Sequence, residues 1–211
     1  MKREKEKNTE HVILRVAEKM FMEKGFSQVS TVAIAKEVGC NQALIHYYYR
    51  SKKQLLSLVF RNRIEPFLMS LLEMKYENLP FLKRMEKRVR SHFKMIVVNP
   101  NFPLILLTDV LSNQELSTMF YQVMKDLPIS VLKQFQAELD EAFNEGIIRK
   151  TLAVDFAFQM VALNVGVVML KPVLRLFLNL PEKELDKLIE ERGEVNLRTL
   201  MRSLEPECKT K

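Results

Sequence analysis

The sequence predicts an all-α protein, and three observations carry that reading. Apolar residues recur at helical spacing in segment after segment of the 211 residues. Gly, Pro and Asn fall between those segments, where helices end. No alternating apolar–polar run is long enough for a strand, and LILL and VGVVML fit buried helix better by length and context. The expected architecture is an N-terminal three-helix domain containing a helix-turn-helix, residues 1–52, followed by a larger helical domain, residues 53–211.

The elements follow in order. Thr9 is placed to cap a first helix, in which Ile13, Val16, Ala17, Met20 and Phe21 form one apolar face and which Gly25 ends. Residues 2–7, basic and interrupted by Glu4 and Glu6, read as a disordered arm before it. Ser30 or Thr31 opens a second helix with Ala33, Ile34, Ala35 and Val38, and Gly39 closes it. Asn41, a good N-cap, opens a third only two residues later. Two short helices joined by a tight Gly-containing turn form the helix-turn-helix pattern, and Ala33 and Ala35 permit a close crossing. Ser51 caps a long fourth helix carrying Leu55, Leu56, Val59 and Ile64, with Pro66 within or just after it. Further helices are expected at 81–98, 103–110, 113–125, 128–146, 152–178 and 182–204, punctuated by NPNFP, LSN, DLP, GIIRK and NLP.

Charge is segregated. Residues 1–64 hold 13 Lys and Arg against 6 Asp and Glu, a net of +7; residues 65–211 hold 20 against 20. All the net charge therefore lies in the first third, which points to a polyanionic partner, nucleic acid or an anionic membrane surface. The first residues carry no apolar run of a secretory signal. Residues 156–170 are apolar but contain Gln159 and Asn164 and run into Lys171, Pro172 and Arg175, so they read as a buried or interfacial helix, with a transmembrane segment as the alternative. Cys40 and Cys208 make no disulfide framework, which suits a reducing cytoplasm. Cys40 reads as a small filler or as a redox-sensing thiol. His11, His46 and His92 share no metal-ligand spacing, and neither a Gly-rich phosphate loop nor a nucleophile elbow occurs. No metal site, no cofactor and no enzyme is expected.

Residues 9–59 resemble the DNA-binding domain of the TetR/AcrR family of transcriptional repressors. The matching residues are Ala17, Phe21, Gly25-Phe26, Ser30-Thr31, Ile34-Ala35, Gly39, the segment 41–49, Ser51-Lys52 and Leu55, in the family's order and spacing. The chain departs from the pattern at the end of the third helix. His46 stands where the family usually has Tyr, Tyr47 takes a position commonly polar or basic, and Tyr49 replaces a common Phe. Residues 141–166 resemble, more loosely, the family's penultimate helix pair.

The resemblance makes the third helix a recognition helix, whose N-terminal residues meet base edges in the major groove. Asn41 reads as an N-cap or a base contact, and Gln42 as a contact able to bond adenine N6 and N7. Ala43 and Leu44 suit a thymine methyl or close backbone approach. Thr31 and Lys52, at the starts of the second and fourth helices, are expected to meet phosphates. A cation in a first helical turn opposes the macrodipole unless an anion docks there. Arg50 and Lys53 are plausible helpers, or solvated charges. Three consecutive rings cannot face one core. Tyr49 is assigned to the core, while Tyr48, Tyr47 and His46 are assigned to DNA.

One short helix reads few base pairs, so a homodimer on a palindromic operator is expected, with 128–146 and 152–178 as interface helices and Ala162 and Gly166 permitting close approach. Met85, Phe93, Phe102, Met119, Phe120 and Met124 are candidates for lining a pocket for a small apolar effector, since Met adapts to irregular apolar shapes. His92 and Asp109 are candidates for orienting a polar ligand group, or for solvated positions or core hydrogen bonds. The expected function is a cytoplasmic, ligand-responsive regulator of transcription, a repressor, that binds no membrane. The alternative is a helix-turn-helix protein of DNA architecture or protein docking without a ligand.

Overall fold

A computed structural model describes the backbone of residues 2–206 and the side chains of residues 9–122 and 124–206. Among these, all regular structure is helical. The helices are α1 (Lys2–Lys24), α2 (Thr31–Val38), α3 (Gln42–Tyr49), α4 (Lys52–Glu73), α5 (Phe81–Val98), α6 (Asn101–Ile105), α7 (Gln114–Met124), α8 (Asp126–Asn144), α9 (Ala153–Leu178) and α10 (Glu182–Arg202). A 3₁₀ turn, Met74–Tyr76, follows α4, and a π-helical turn, Leu106–Val110, follows α6.

Three expectations are corrected. Thr9 does not cap α1, because the helix already runs from Lys2 through the segment expected to be a disordered arm. Lys, Glu and Arg are good helix formers, so alternating charge is compatible with a helix. The helix expected at 103–110 is two pieces, an α-turn and a π-turn closed by the Leu111 N–H on the Leu106 carbonyl at 2.9 Å. The DLP break is the start of α8, where Pro128 lies in the first turn and lacks no intrahelical bond. Cys208 lies outside the described residues.

The described residues form two compact units. One holds the chain up to Pro66 together with Asn101–Lys125, and the other holds Phe67–Pro100 with the residues from Asp126 on. The reason for the first grouping is aromatic. Phe60 of α4 is fully buried, with Phe102 at 4.6 Å and Phe120 edge-on at 5.6 Å. These rings join α4, α6 and α7 to the core of Ile13, Ala17, Phe21, Ile34, Ile45, Leu55 and Leu56. A fully buried Leu, Ile or Phe contributes about 1.5–3 kcal/mol, so this core dominates the unit's stability.

Polar bonds add register to that packing. Asp109, in the π-helical turn, accepts the Ser27 hydroxyl at 2.9 Å and the Phe26 N–H at 3.4 Å, which fixes the loop between α1 and α2. Burial pushes the Cys40 thiol up, which favours the unreactive protonated form.

The second unit packs α9 against α5, α8 and α10. Met85, Phe135, Leu139, Phe156, Leu197 and Leu200 form its core. Gly193 of α10 is required by proximity, since a Cβ there would meet the Phe93 ring at 2.5 Å. Gly166, by contrast, has open space around it.

Candidate nucleic-acid interface

The geometry of α2 and α3 follows from four local bonds. The Ser30 hydroxyl accepts the Ala33 N–H at 3.0 Å and starts α2. Gly39, at φ +74°, ends it in the left-handed region, and the Cys40 N–H closes on the Ala35 carbonyl at 3.0 Å. The Asn41 side-chain oxygen then accepts the Ala43 N–H at 3.0 Å and starts α3. The Ser51 hydroxyl accepts the Gln54 N–H at 3.1 Å at the start of α4.

The three tyrosines part company as the 100° step per residue requires. Tyr49 is buried, and its hydroxyl donates to the Glu10 carbonyl of α1 at 2.7 Å. Burial, and then the Glu10 carboxylate and Tyr48, raise its phenol well above the usual tyrosine value. Tyr47 projects outward with 78 % of its surface exposed. Tyr48 is half-buried and meets Tyr47 edge to face at 5.1 Å. On the same outer side Asn41, Ala43, Leu44 and His46 are exposed, while Ile45 and Tyr49 hold α3 to the core.

Gln42 is less free than its sequence position implies. Its Nε2 donates to the Thr31 hydroxyl at 2.8 Å and lies 3.4 Å from His46 Nε2. His46 Nδ1 faces the Arg50 carbonyl at 3.2 Å. With Nδ1–H donating to that carbonyl, Nε2 is an acceptor for the Gln42 amide, and Thr31, Gln42 and His46 form one continuous polar line across the two helices.

Arg50, expected as a helper in charge, is a conformational feature. It ends α3 at φ 58°, ψ −46°, and the Ser51 N–H bonds the Tyr49 carbonyl at 2.5 Å. That is a γ-turn centred on a non-Gly residue, a rare and strained geometry. The only sequence signal for it is the two-residue gap between two helices.

Lys52 begins α4 half-buried, with Nζ 4.0 Å from the centre of the Phe26 ring. Burial pushes its ammonium below the ordinary lysine value, and the Asp109 carboxylate works against that shift. Lys53 instead pairs with Glu115 of α7, so its charge is partly spent inside the unit. The first unit thus places Thr31, Gln42, Ala43, His46, Tyr47 and Tyr48 along α2 and α3, with Lys52 beside them on the next helix start.

The candidate effector residues are dispersed. Phe102, Met119, Phe120 and Met124 belong to the first unit, and Met85 and Phe93 are packed in the second. The second unit contains a cavity of about 280 Å³, near the lower end of the roughly 300–1,000 Å³ usual for small-molecule sites. Phe67, Leu71, Val131, Phe156 and Met160 line it, with Arg88, His92, Gln134 and Glu138 as polar members. None of the six candidates lines this cavity. The residues that do come from four helices, and their convergence has no one-dimensional signature.

Among the described residues, α9, with 26 residues, is long and apolar enough to cross a membrane. Its exposed apolar side chains include Phe158, Val161, Val173, Leu176 and Phe177. Among the described residues no group of three or more His, Cys, Asp or Glu is placed to hold a metal ion.

Residues 13–59 match the family of "Bacterial regulatory proteins, tetR family". The chain is 24 % identical over 150 residues to the fatty acid metabolism regulator protein of Bacillus subtilis (strain 168), covering 71 % of this chain and 75 % of the relative. Solved structures of similar fold include the fatty acid degradation regulator FadR from Bacillus halodurans, at TM-score 0.66 and 18 % identity over 90 % of this chain and 94 % of that one. Another is FadR from Bacillus subtilis in complex with stearoyl-CoA, at TM-score 0.68 and 17 % identity over 92 % and 99 %. A third is the TetR family regulator PfmR from Thermus thermophilus, at TM-score 0.64 and 16 % identity over 88 % and 97 %.

Proposed function

Because the chain is a transcription regulator of the tetR family, with the family's domain in residues 13–59, we propose that it is a homodimeric repressor released from a palindromic operator by a long-chain acyl effector. The observation that carries the DNA half is the outer face of α3, where Gln42, Ala43, Leu44, His46 and Tyr47 stand clear of the core that Ile45 and Tyr49 anchor. Asn41 and Gln42 are assigned to base edges, with Ala43 and Leu44 beside them. Thr31, Tyr48 and Lys52 are assigned to phosphates, and His46 and Tyr47 extend the contact surface.

The dimer is assigned to the exposed apolar side chains of α9, with α8 beside it. A second copy covering Val154, Phe158, Val161 and Leu176, which the 100° step places on one side of α9, accounts for an apolar face that water would otherwise meet. The effector half rests on the apolar cavity of the second unit, on the relative named for fatty acid metabolism, and on the neighbour held with stearoyl-CoA. A coupling of about 1–3 kcal/mol between the two sites changes DNA affinity 5–150-fold, enough for a switch. The regulator acts in the cytoplasm and performs no catalysis.

Selection of bound duplexes from a random pool tests this reading. A symmetric site is expected, with half-sites about 34–36 Å apart, and binding that weakens on addition of a long-chain acyl-CoA. A flat sequence profile with a steep salt slope, unchanged by loss of Thr31, Tyr48 and Lys52, overturns it.

A further inference from the structure

The cavity of the second unit has one polar group whose protonation and orientation are fixed by its neighbours. His92 of α5 is buried at its lining, with the ring 5.8 Å from Phe67. A chain of three amide hydrogen bonds sets its tautomer. Asn196 of α10 donates from Nδ2 to the Leu163 carbonyl at 3.0 Å and to Asn164 Oδ1 at 3.1 Å. Two acceptors around one nitrogen fix which way the Asn196 amide faces. Asn164 Oδ1 is thereby an acceptor, so Asn164 Nδ2 is the donor that faces His92 Nδ1 at 3.1 Å. His92 Nδ1 therefore carries no proton, and the neutral ring carries its proton on Nε2. Burial keeps the ring neutral, holding its pKa down at about 4.

The other polar members of the lining are already committed: Gln134 Nε2 donates to the Leu72 carbonyl at 2.8 Å, and Arg88 and Glu138 pair with each other. Arg88 Nη2 donates to both Glu138 oxygens, at 2.7 and 2.8 Å, and both side chains are buried. The Arg84 Nε lies 3.7 Å from the same carboxylate. A second carboxylate entering this cavity meets Glu138 as a like charge and finds no unengaged cation on its lining. Desolvating a carboxylate without a partner costs far more than desolvating a carbonyl.

Resting on the acyl-effector reading above, we infer that His92 is the specificity-determining anchor of the cavity, its Nε2–H donating to the carbonyl oxygen of an uncharged acyl group, an ester or thioester, in preference to a free fatty carboxylate. Apart from Gln134, whose amide is engaged at the Leu72 carbonyl, the rest of the wall is apolar and takes the alkyl chain, so the His92 Nε2–H sets where the carbonyl sits. Asn164 acts as a positioning residue through the tautomer it imposes.

The test compares four probes on the full chain by calorimetry at pH 7.5: S-ethyl dodecanethioate, ethyl dodecanoate, dodecanoate, and dodecyl ethyl thioether, which lacks the carbonyl. Both the thioester and the ester are expected to bind at least about tenfold more tightly than the thioether and than dodecanoate, the size of one buried hydrogen bond left unmade. In His92→Phe, which keeps a ring but loses the donor, thioester and thioether are expected to bind alike. Asn164→Leu is expected to reduce the carbonyl preference while leaving thioether affinity within about twofold, an outcome a purely structural loss does not give. If the wild-type protein binds thioether as tightly as thioester, or dodecanoate most tightly, the inference falls while the acyl-effector reading stands. If none of the four binds, the acyl-effector reading falls and takes this one with it. The wild-type comparison needs no variant to fold.

Discussion

The Tyr49 hydroxyl donates to the backbone carbonyl of Glu10 at 2.7 Å, tying the last residue of α3 to α1. A buried phenol raised by burial and by a neighbouring carboxylate stays protonated in the folded state where the unfolded chain has begun to ionise. The folded state then binds more protons, so the stability from this group is complete below the unfolded value of about 10 and is lost as pH rises beyond it. Tyr49→Phe is expected to cost about 0.5–1.5 kcal/mol at pH 7. Urea titrations at pH 7 and pH 10.5 check both parts, since the variant should lose less stability than wild type between the two.

Arg50 occupies a γ-turn at φ 58° that a Cβ disfavours. Arg50→Gly removes that cost, and a gain of about 1 kcal/mol in unfolding free energy is expected. The same substitution removes an exposed cation beside α3, so affinity for DNA should fall as stability rises. Opposite signs in a melting curve and a binding titration on one variant are the expected result.

Lys52 sits over the Phe26 ring at the start of α4, where its charge opposes the helix dipole. If that position holds a phosphate, Lys52→Gln weakens binding to specific and random duplexes alike. The slope of log affinity against log salt should shrink by about one. An unchanged slope removes Lys52 from the interface.

His92 is buried as the neutral ring, with its pKa at about 4 against about 6.5 in an unfolded chain. The unfolded state binds the extra proton between those values, so stability falls as pH drops from 6.5 and levels off near 4. The loss attributable to this one group is at most about 3 kcal/mol. Denaturation of wild type and His92→Phe at pH 7 and pH 4.5 is expected to show the smaller pH dependence in the variant.

Glu138 neutralises Arg88 in the second unit, with Arg84 close by. Glu138→Gln leaves a buried guanidinium without its counter-charge, and a loss of about 3–5 kcal/mol is expected. The double replacement Arg88→Met with Glu138→Leu should recover most of it, because removing both charges removes the desolvation as well. Thermal melts of the two variants decide this.

Helix positions were legible in the sequence because their determinants are local. The apolar period, the αL glycines Gly25 and Gly39, and the caps Ser30, Asn41 and Ser51 lie within a few residues of what they control. The separation of the three tyrosines was legible for the same reason, being set by the 100° step. The failures have other causes. Alternating charge in residues 2–7 reads as a disordered arm because it carries no apolar period, yet Lys, Glu and Arg favour helix by propensity alone.

The sequence by itself determined the helix class, the helix-turn-helix register and the concentration of charge in the first 64 residues, all of which depend on composition or on contacts a few residues apart. Only the tertiary structure decided that Phe60, Phe102 and Phe120 bring α4, α6 and α7 into the first unit, and that Gln42 is tethered to Thr31. It also decided that the cavity is bounded by Phe67, His92, Val131 and Phe156 rather than by the methionines and phenylalanines spacing had singled out. Those relations join residues far apart in the chain, and a cavity is defined by where packed helices fail to meet. No periodicity along the chain records that.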